Sequence, residues 1–170
     1  MRRLTLMRHG EARWKDADME DFARPLSRRG ISGAEAMAER LRELGLIPDR
    51  VLTSPAHRTE QTADIVAREL ALPSRHVLRD EGLYLASARD LMKIVHGTGP
   101  RIAHLMIIGH NPGVSELAQL LAPEAEPHGL DDAALCSIAF DTDQWPSVGH
   151  AEVSAICRET PPTRFFGWFG

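Results

Sequence analysis

Short apolar runs of strand length alternate with segments of helical period along nearly the whole chain, and this alternation limits the possible folds severely. Residues 3–8, 50–53, 76–79 and 104–108 read as strands. Between them, Ala34, Met37, Ala38, Leu41 and Leu44 recur at helical spacing over 32–44. Gly45 suits the end of that helix, and Pro48 confirms the stop. A second helix fits 57–70, with Thr62, Ala63, Val66 and Leu70 on one face. Ser87 reads as the N-cap of a third helix over 88–96. Pro112 suits the start of a fourth, with Val114, Leu117, Ala118 and Leu121 facing inward. Such alternation implies parallel strands joined by crossover helices and covered on both faces. The expected fold is a three-layer α/β/α sandwich around a mostly parallel central sheet. Runs 134–140 and 151–157 read as two more strands, a hairpin that adds antiparallel edges. With 170 residues the chain suits one domain over 1–170, ending in an aromatic tail over 159–170.

Three of these strands stop on residues suited to chemistry. Leu4-Thr5-Leu6-Met7 runs into Arg8-His9-Gly10-Glu11, the second strand into Ser54-Pro55, and the 104–108 run into Gly109-His110-Asn111. Open α/β sheets bind ligands beyond the carboxyl ends of their strands, and parallel strands bring those ends to one rim. His9 and His110 are therefore expected to meet, with Arg58 close by at the start of the second helix. Helix N-termini turn N–H groups and positive dipole toward the same rim. Gly10 allows a sharp turn and the close approach of a ligand to the backbone. Beside the fixed cation Arg8, His9 has reason to stay neutral, and a neutral imidazole can attack an electrophile. Two arginines and two histidines fit a phosphoryl dianion. That chemistry needs no metal or other cofactor, and the chain contains no HExxH, CxxC or paired-aspartate motif.

Composition narrows the partners. A net charge of -4 argues against a general nucleic-acid binder or a basic membrane-surface protein. No run of about 18 apolar residues exists to span a bilayer. No signal peptide is read, so the expected setting is the cytoplasm, with Cys136 and Cys157 as buried reduced thiols in a monomer.

Arg8-His9-Gly10-Glu11, then Ser54-Pro55-Ala56-His57-Arg58-Thr59-Glu60-Gln61-Thr62, then Gly109-His110-Asn111 together resemble the histidine phosphatase superfamily, also called phosphoglycerate-mutase-like. The middle segment matches the family's Ser-x-x-x-Arg-x-x-Gln-Thr pattern. The short chain and Arg24-Pro25-Leu26-Ser27-Arg28-Arg29-Gly30 are similar to the SixA branch, the phosphohistidine phosphatases. The resemblance covers about residues 3–158. It implies a phosphoglycerate-mutase-like fold in which His9 is the nucleophile and becomes a covalent phosphohistidine. Arg8 and Arg58 would clamp the phosphate oxygens, and His110 would donate to one as a cation or suitable tautomer. Arg24, Gly10, Ser54 and Asn111 are candidates for substrate binding. Competing readings make Arg58 a surface partner of Glu60 or Asp64, His110 a cap or core residue, and Ser54 and Asn111 turn caps.

The general acid is open. Much of the superfamily uses a carboxylate after the third strand to protonate an alkoxide leaving group. Glu81 stands near that place with Asp80 as a rival, but Leu83-Tyr84-Leu85-Ala86-Ser87 replaces the fuller pattern of the mutase and phosphoester branches. A phosphoramidate depends less on such an acid, so the expected substrate is a phosphorylated protein such as a histidine-phosphotransfer domain. The stretch from Gly10 to Ser54 leaves little chain for a sealing lid, which suits a phosphate displayed on another protein. Alternatives are a phosphatase of small phosphate monoesters and a phosphate-binding module without catalysis. Outside the resemblance, Phe165, Phe166, Trp168 and Phe169 suit docking on an apolar face or contact with a partner. The acidic 15–21 loop reads as solvated.

Overall fold

Residues 1–14, 17–125 and 128–163 are described from a computed structural model. The strands are β1 (Arg2–Arg8), β2 (Arg50–Thr53), β3 (Val77–Arg79), β4 (His104–Gly109), β5 (Leu135–Phe140) and β6 (Val153–Glu159). The α-helices among the described residues are α1 (Arg28–Glu43), α2 (His57–Glu69), α3 (Ala88–His96) and α4 (Gly113–Leu121). The strands form one sheet in the order β3-β2-β4-β1-β5-β6. β3, β2, β4 and β1 are parallel neighbours, while β5 runs against β1 and β6 against β5. The mostly parallel sheet with an antiparallel terminal hairpin is the architecture expected from the alternation.

Period-two side chains sort the core into two layers. Leu4, Leu6, Leu105 and Ile107 face Leu91 and Val95 of α3 and Val114, Leu117 and Ala118 of α4. Met7, Met106 and Ile108 face Met37, Ala38 and Leu41 of α1 and Ala63 and Val66 of α2. All of β4 is buried, as a central parallel strand covered on both faces must be.

Several boundaries move. α1 begins at Arg28, a turn before the apolar spacing starts, because Ser27 caps it by accepting from the Gly30 N–H at 3.0 Å. The Ser27 hydroxyl in turn donates to Glu11 Oε1 at 2.8 Å. Gly45 closes the helix as expected, with φ of 67° and the Leu46 N–H returning to the Leu41 carbonyl. Cys136 is buried, but Cys157 is only half-buried because β6 is an edge strand. The tail residues Phe165, Phe166, Trp168 and Phe169 lie outside the described residues. No helix among those described is long and apolar enough to cross a membrane.

Candidate active site

Sheet order decides what the site contains. β4 lies between β2 and β1, and Arg8 stands level with Gly109 as Thr53 does with Ile108. The His9 N–H donates to the Gly109 carbonyl at 3.2 Å and the Ser54 N–H to the Ile108 carbonyl at 3.3 Å. His9, Ser54 and His110 thus leave three adjacent strands at one level. α2 and α4 start from the same rim. Above it lies a cavity of about 310 Å³, whose walls include Arg8, His9, Arg24, Arg58, His110 and Asn111 together with Glu11 and Asp132.

Arg58 is the hub. It is buried, yet each of its three nitrogens has an acceptor. Its Nε lies 3.3 Å from His9 Nε2, and its Nη2 lies 3.2 Å from His110 Nδ1. Its Nη1 donates to the Asp21 carbonyl at 2.7 Å and its Nη2 to the Asp21 carboxylate at 3.0 Å. A guanidinium has no lone pair to offer, so both facing ring nitrogens must be unprotonated. The tautomers follow from this network. His9 carries its proton on Nδ1 and donates to the Gly10 carbonyl at 2.7 Å. His110 carries its proton on Nε2, 2.7 Å from Ser54 Oγ. The two rings meet edge to face, 5.3 Å apart.

Burial and charge agree with neutral rings. Burial pushes the His9 pKa down; the Gly10 carbonyl resists, and Arg58, Arg8 and Arg24 push further, leaving it at about 4. For His110, burial and then Arg58 bring the value to about 3. Of the two forms expected for His110, cation or suitable tautomer, these contacts favour the neutral tautomer with its proton on Nε2, and both nitrogens are engaged within the protein.

Arg8 reaches Asp132 at 3.4 Å. Arg24 reaches Asp21 at 3.2 Å. The Nε atoms of both arginines are buried without a hydrogen-bond partner among the described residues. Asn111 spends both ends of its amide on neighbouring segments, donating to the Leu130 carbonyl of the α4–β5 connection at 2.9 Å and accepting from Ser115 Oγ of α4 at 2.5 Å.

Three candidates fall outside the cavity walls. Gly10 was expected to admit a ligand, but a Cβ there would stand 2.6 Å from the Gly30 carbonyl oxygen, so its missing side chain makes room for α1. Ser54 is fully buried and lies under His110 rather than beside a substrate. Glu81 is exposed, and β3, which precedes it, is three places from β1 in the sheet, roughly 14 Å at ordinary strand spacing. Its rival Asp80 caps the turn beyond, accepting from the Gly82 N–H.

Asp21 is the residue that sequence reasoning missed. Its carboxylate holds Arg58 and Arg24 and accepts from the Tyr84 hydroxyl at 2.8 Å. Burial raises its pKa, but the bonds from Tyr84 and Arg58 outweigh that and keep it below the usual carboxylate range. The partner of Arg58 is thus Asp21, and neither Glu60 nor Asp64. One signal was available: Tyr84 is the chain's single tyrosine, standing where the phosphoester branches carry their longer motif.

Comparison with known proteins sets this geometry in context. The model of the histidine phosphatase superfamily (branch 1) matches residues 4–83. The phosphohistidine phosphatase SixA of Escherichia coli K12 is 32% identical over 143 residues, covering 80% of this chain and 84% of that one. An uncharacterized chloroplastic protein of Arabidopsis thaliana is 33% identical over 129 residues, covering 71% of this chain, which spans 59% of that relative's length. The structure of the protein histidine phosphatase SixA complexed with tungstate superposes with a TM-score of 0.75 at 28% identity, covering 92% of this chain and 96% of the other.

Proposed function

The chain belongs to the histidine phosphatase superfamily, in its SixA-like branch, and from that premise we propose that this phosphatase removes phosphate from phosphohistidine on another protein through a covalent intermediate on His9. The observation that carries the reading is the unprotonated Nε2 of His9, aimed at Arg58 inside a cavity walled by three arginines. Tungstate in the SixA structure, a tetrahedral oxyanion like phosphate, supports the same use of the cavity.

The chemistry follows from these groups. A phosphoryl dianion enters among Arg8, Arg24 and Arg58, whose charge stabilises the equatorial oxygens as charge spreads over them. His9 Nε2 attacks phosphorus, forming one P–N bond while the bond to the substrate imidazole breaks. Gly10 holds the Nδ1–H throughout and favours the cation-like ring that attack creates. The leaving imidazole takes its proton from water at the open mouth, so no carboxylate in the place of Glu81 is required. A water molecule then attacks the same phosphorus, the P–Nε2 bond breaks, and inorganic phosphate leaves with His9 neutral again. The arginines supply the positive charge of the site, and no metal ion enters the scheme.

The test compares a protein phosphorylated on histidine with an aryl phosphate, each given to wild type and to His9→Ala. The expected result is turnover of the phosphohistidine protein, acid-labile phosphate trapped on His9 of the wild type, and loss of both in the variant. Turnover of the aryl phosphate alone, abolished by Glu81→Ala, would replace this reading with that of a small-ester phosphatase. Activity that survives in His9→Ala would remove His9 as nucleophile.

A further inference from the structure

The cavity is polar, but large apolar side chains stand close to its charged walls. Among the described residues the exposed aromatic side chains are Trp14 and Phe22, with 57% and 42% of their surface open, and ring contacts tie each to a cavity wall. The Trp14 ring lies 4.1 Å from the guanidinium carbon of Arg24, a cavity wall. Phe22 packs edge-on against Tyr84 at 5.1 Å, and Tyr84 packs against His110 at 5.5 Å. Leu85 lines the cavity itself and still exposes 56% of its surface. It is held there by a left-handed backbone, φ 51°, which a leucine adopts only at a cost. Three large apolar side chains, two from the β1–α1 connection and one from the segment after β3, therefore gather beside one charged opening.

Folded chains bury aromatic side chains where they can, so exposed ones gathered round a single opening call for a covering surface. Aromatic anchors around a polar centre that loses its water are the composition of a protein interface. A phosphorylated small molecule fits within about 310 Å³ and would leave Trp14 and Phe22 wet. A phosphoryl group carried on a folded protein brings its own surroundings down onto them. The arginines fix where that phosphate must sit, and so fix which part of the partner faces the rim.

We propose that Trp14, Phe22 and Leu85 form the docking surface for the phosphorylated protein, taking apolar side chains that flank its phosphohistidine while the phosphoryl group enters the cavity. The proposal rests on the phosphatase reading above and adds how protein substrates are preferred over small ones. Affinity comes from the rim and reactivity from the cavity, so the two separate experimentally.

The experiment uses the full chain and two probes: phosphoimidazole, and a histidine-phosphotransfer domain phosphorylated on its histidine. Wild type is compared with Phe22→Ser and with the double variant Trp14→Ser/Phe22→Ser. The expected result is a loss of about tenfold or more in kcat/KM on the phosphorylated domain for the double variant, carried by KM. Phe22→Ser alone gives a smaller loss in the same direction, and turnover of phosphoimidazole stays within about twofold of wild type. Equal losses on both probes would overturn the docking surface, since the side chains would then only support the cavity. So would unchanged rates on both, or a wild type that accepts phosphoimidazole but not the domain. A wild type inert on both probes would remove the phosphatase reading itself, and the docking surface with it.

Discussion

Burial does most to keep the His9 and His110 rings neutral, and Arg58, which donates to His9 Nε2 and to His110 Nδ1, adds its charge against protonation of both. The expected consequence is a His9 ring whose NMR titration midpoint lies at about 4, well below the ordinary 6.5, with the Nδ1-protonated tautomer above it. Replacing the cation in Arg58→Met moves that midpoint upward; an unchanged midpoint would show that Arg58 does not lower it. Asp21 carries a second expectation. It grips Arg58 by both its carbonyl and its carboxylate and holds Arg24 as well, so Asp21→Asn loosens the clamp. A loss of about tenfold in kcat/KM is expected, with a melting temperature within a few degrees of wild type. The contrast between these residues shows what a sequence can reveal. His9, Arg58 and His110 were legible because each follows a strand or opens a helix, where local pattern fixes position. Asp21 was not, because it sits among several acidic residues between β1 and α1, and only the folded path of that connection selects one of them.

Helix α1 and the turn after β1 are built against each other. A Cβ on Gly30 would stand 2.1 Å from the Glu11 carbonyl oxygen, a backbone atom that cannot step aside. Gly30→Ala should therefore destabilise the fold by on the order of 3 kcal/mol in denaturant titration, through forced displacement of the segment that carries His9. Ser27→Ala should cost about 1 kcal/mol, for the lost N-cap and the lost bond to Glu11. Element identity was readable from periodicity throughout, and the ends were less so. The extra first turn of α1 holds Arg28 and Arg29, which carry no apolar signal. What places them in the helix is a serine cap, and serine occurs as readily in loops.

Across the whole molecule, three histidines are held neutral by the fold. His9 and His104 titrate at about 4 and His110 at about 3, each lowered first by burial. An unfolded chain protonates these rings near 6.5, while the folded chain does not until lower pH. Stability should accordingly fall as pH drops from about 6.5 toward 4 and stop responding to these groups below about 3. Urea midpoints measured across that range check the sign, and His104→Asn should flatten the slope without touching the cavity. Sheet order has a further consequence, in time. β1 and β2 emerge early during synthesis but are never neighbours; each waits for β4, which enters the slot between them. His9 and Arg58 therefore leave the ribosome long before the strand that brings them together. A half-made chain holds the parts of the pocket and no pocket until translation has passed the last strand of the rim.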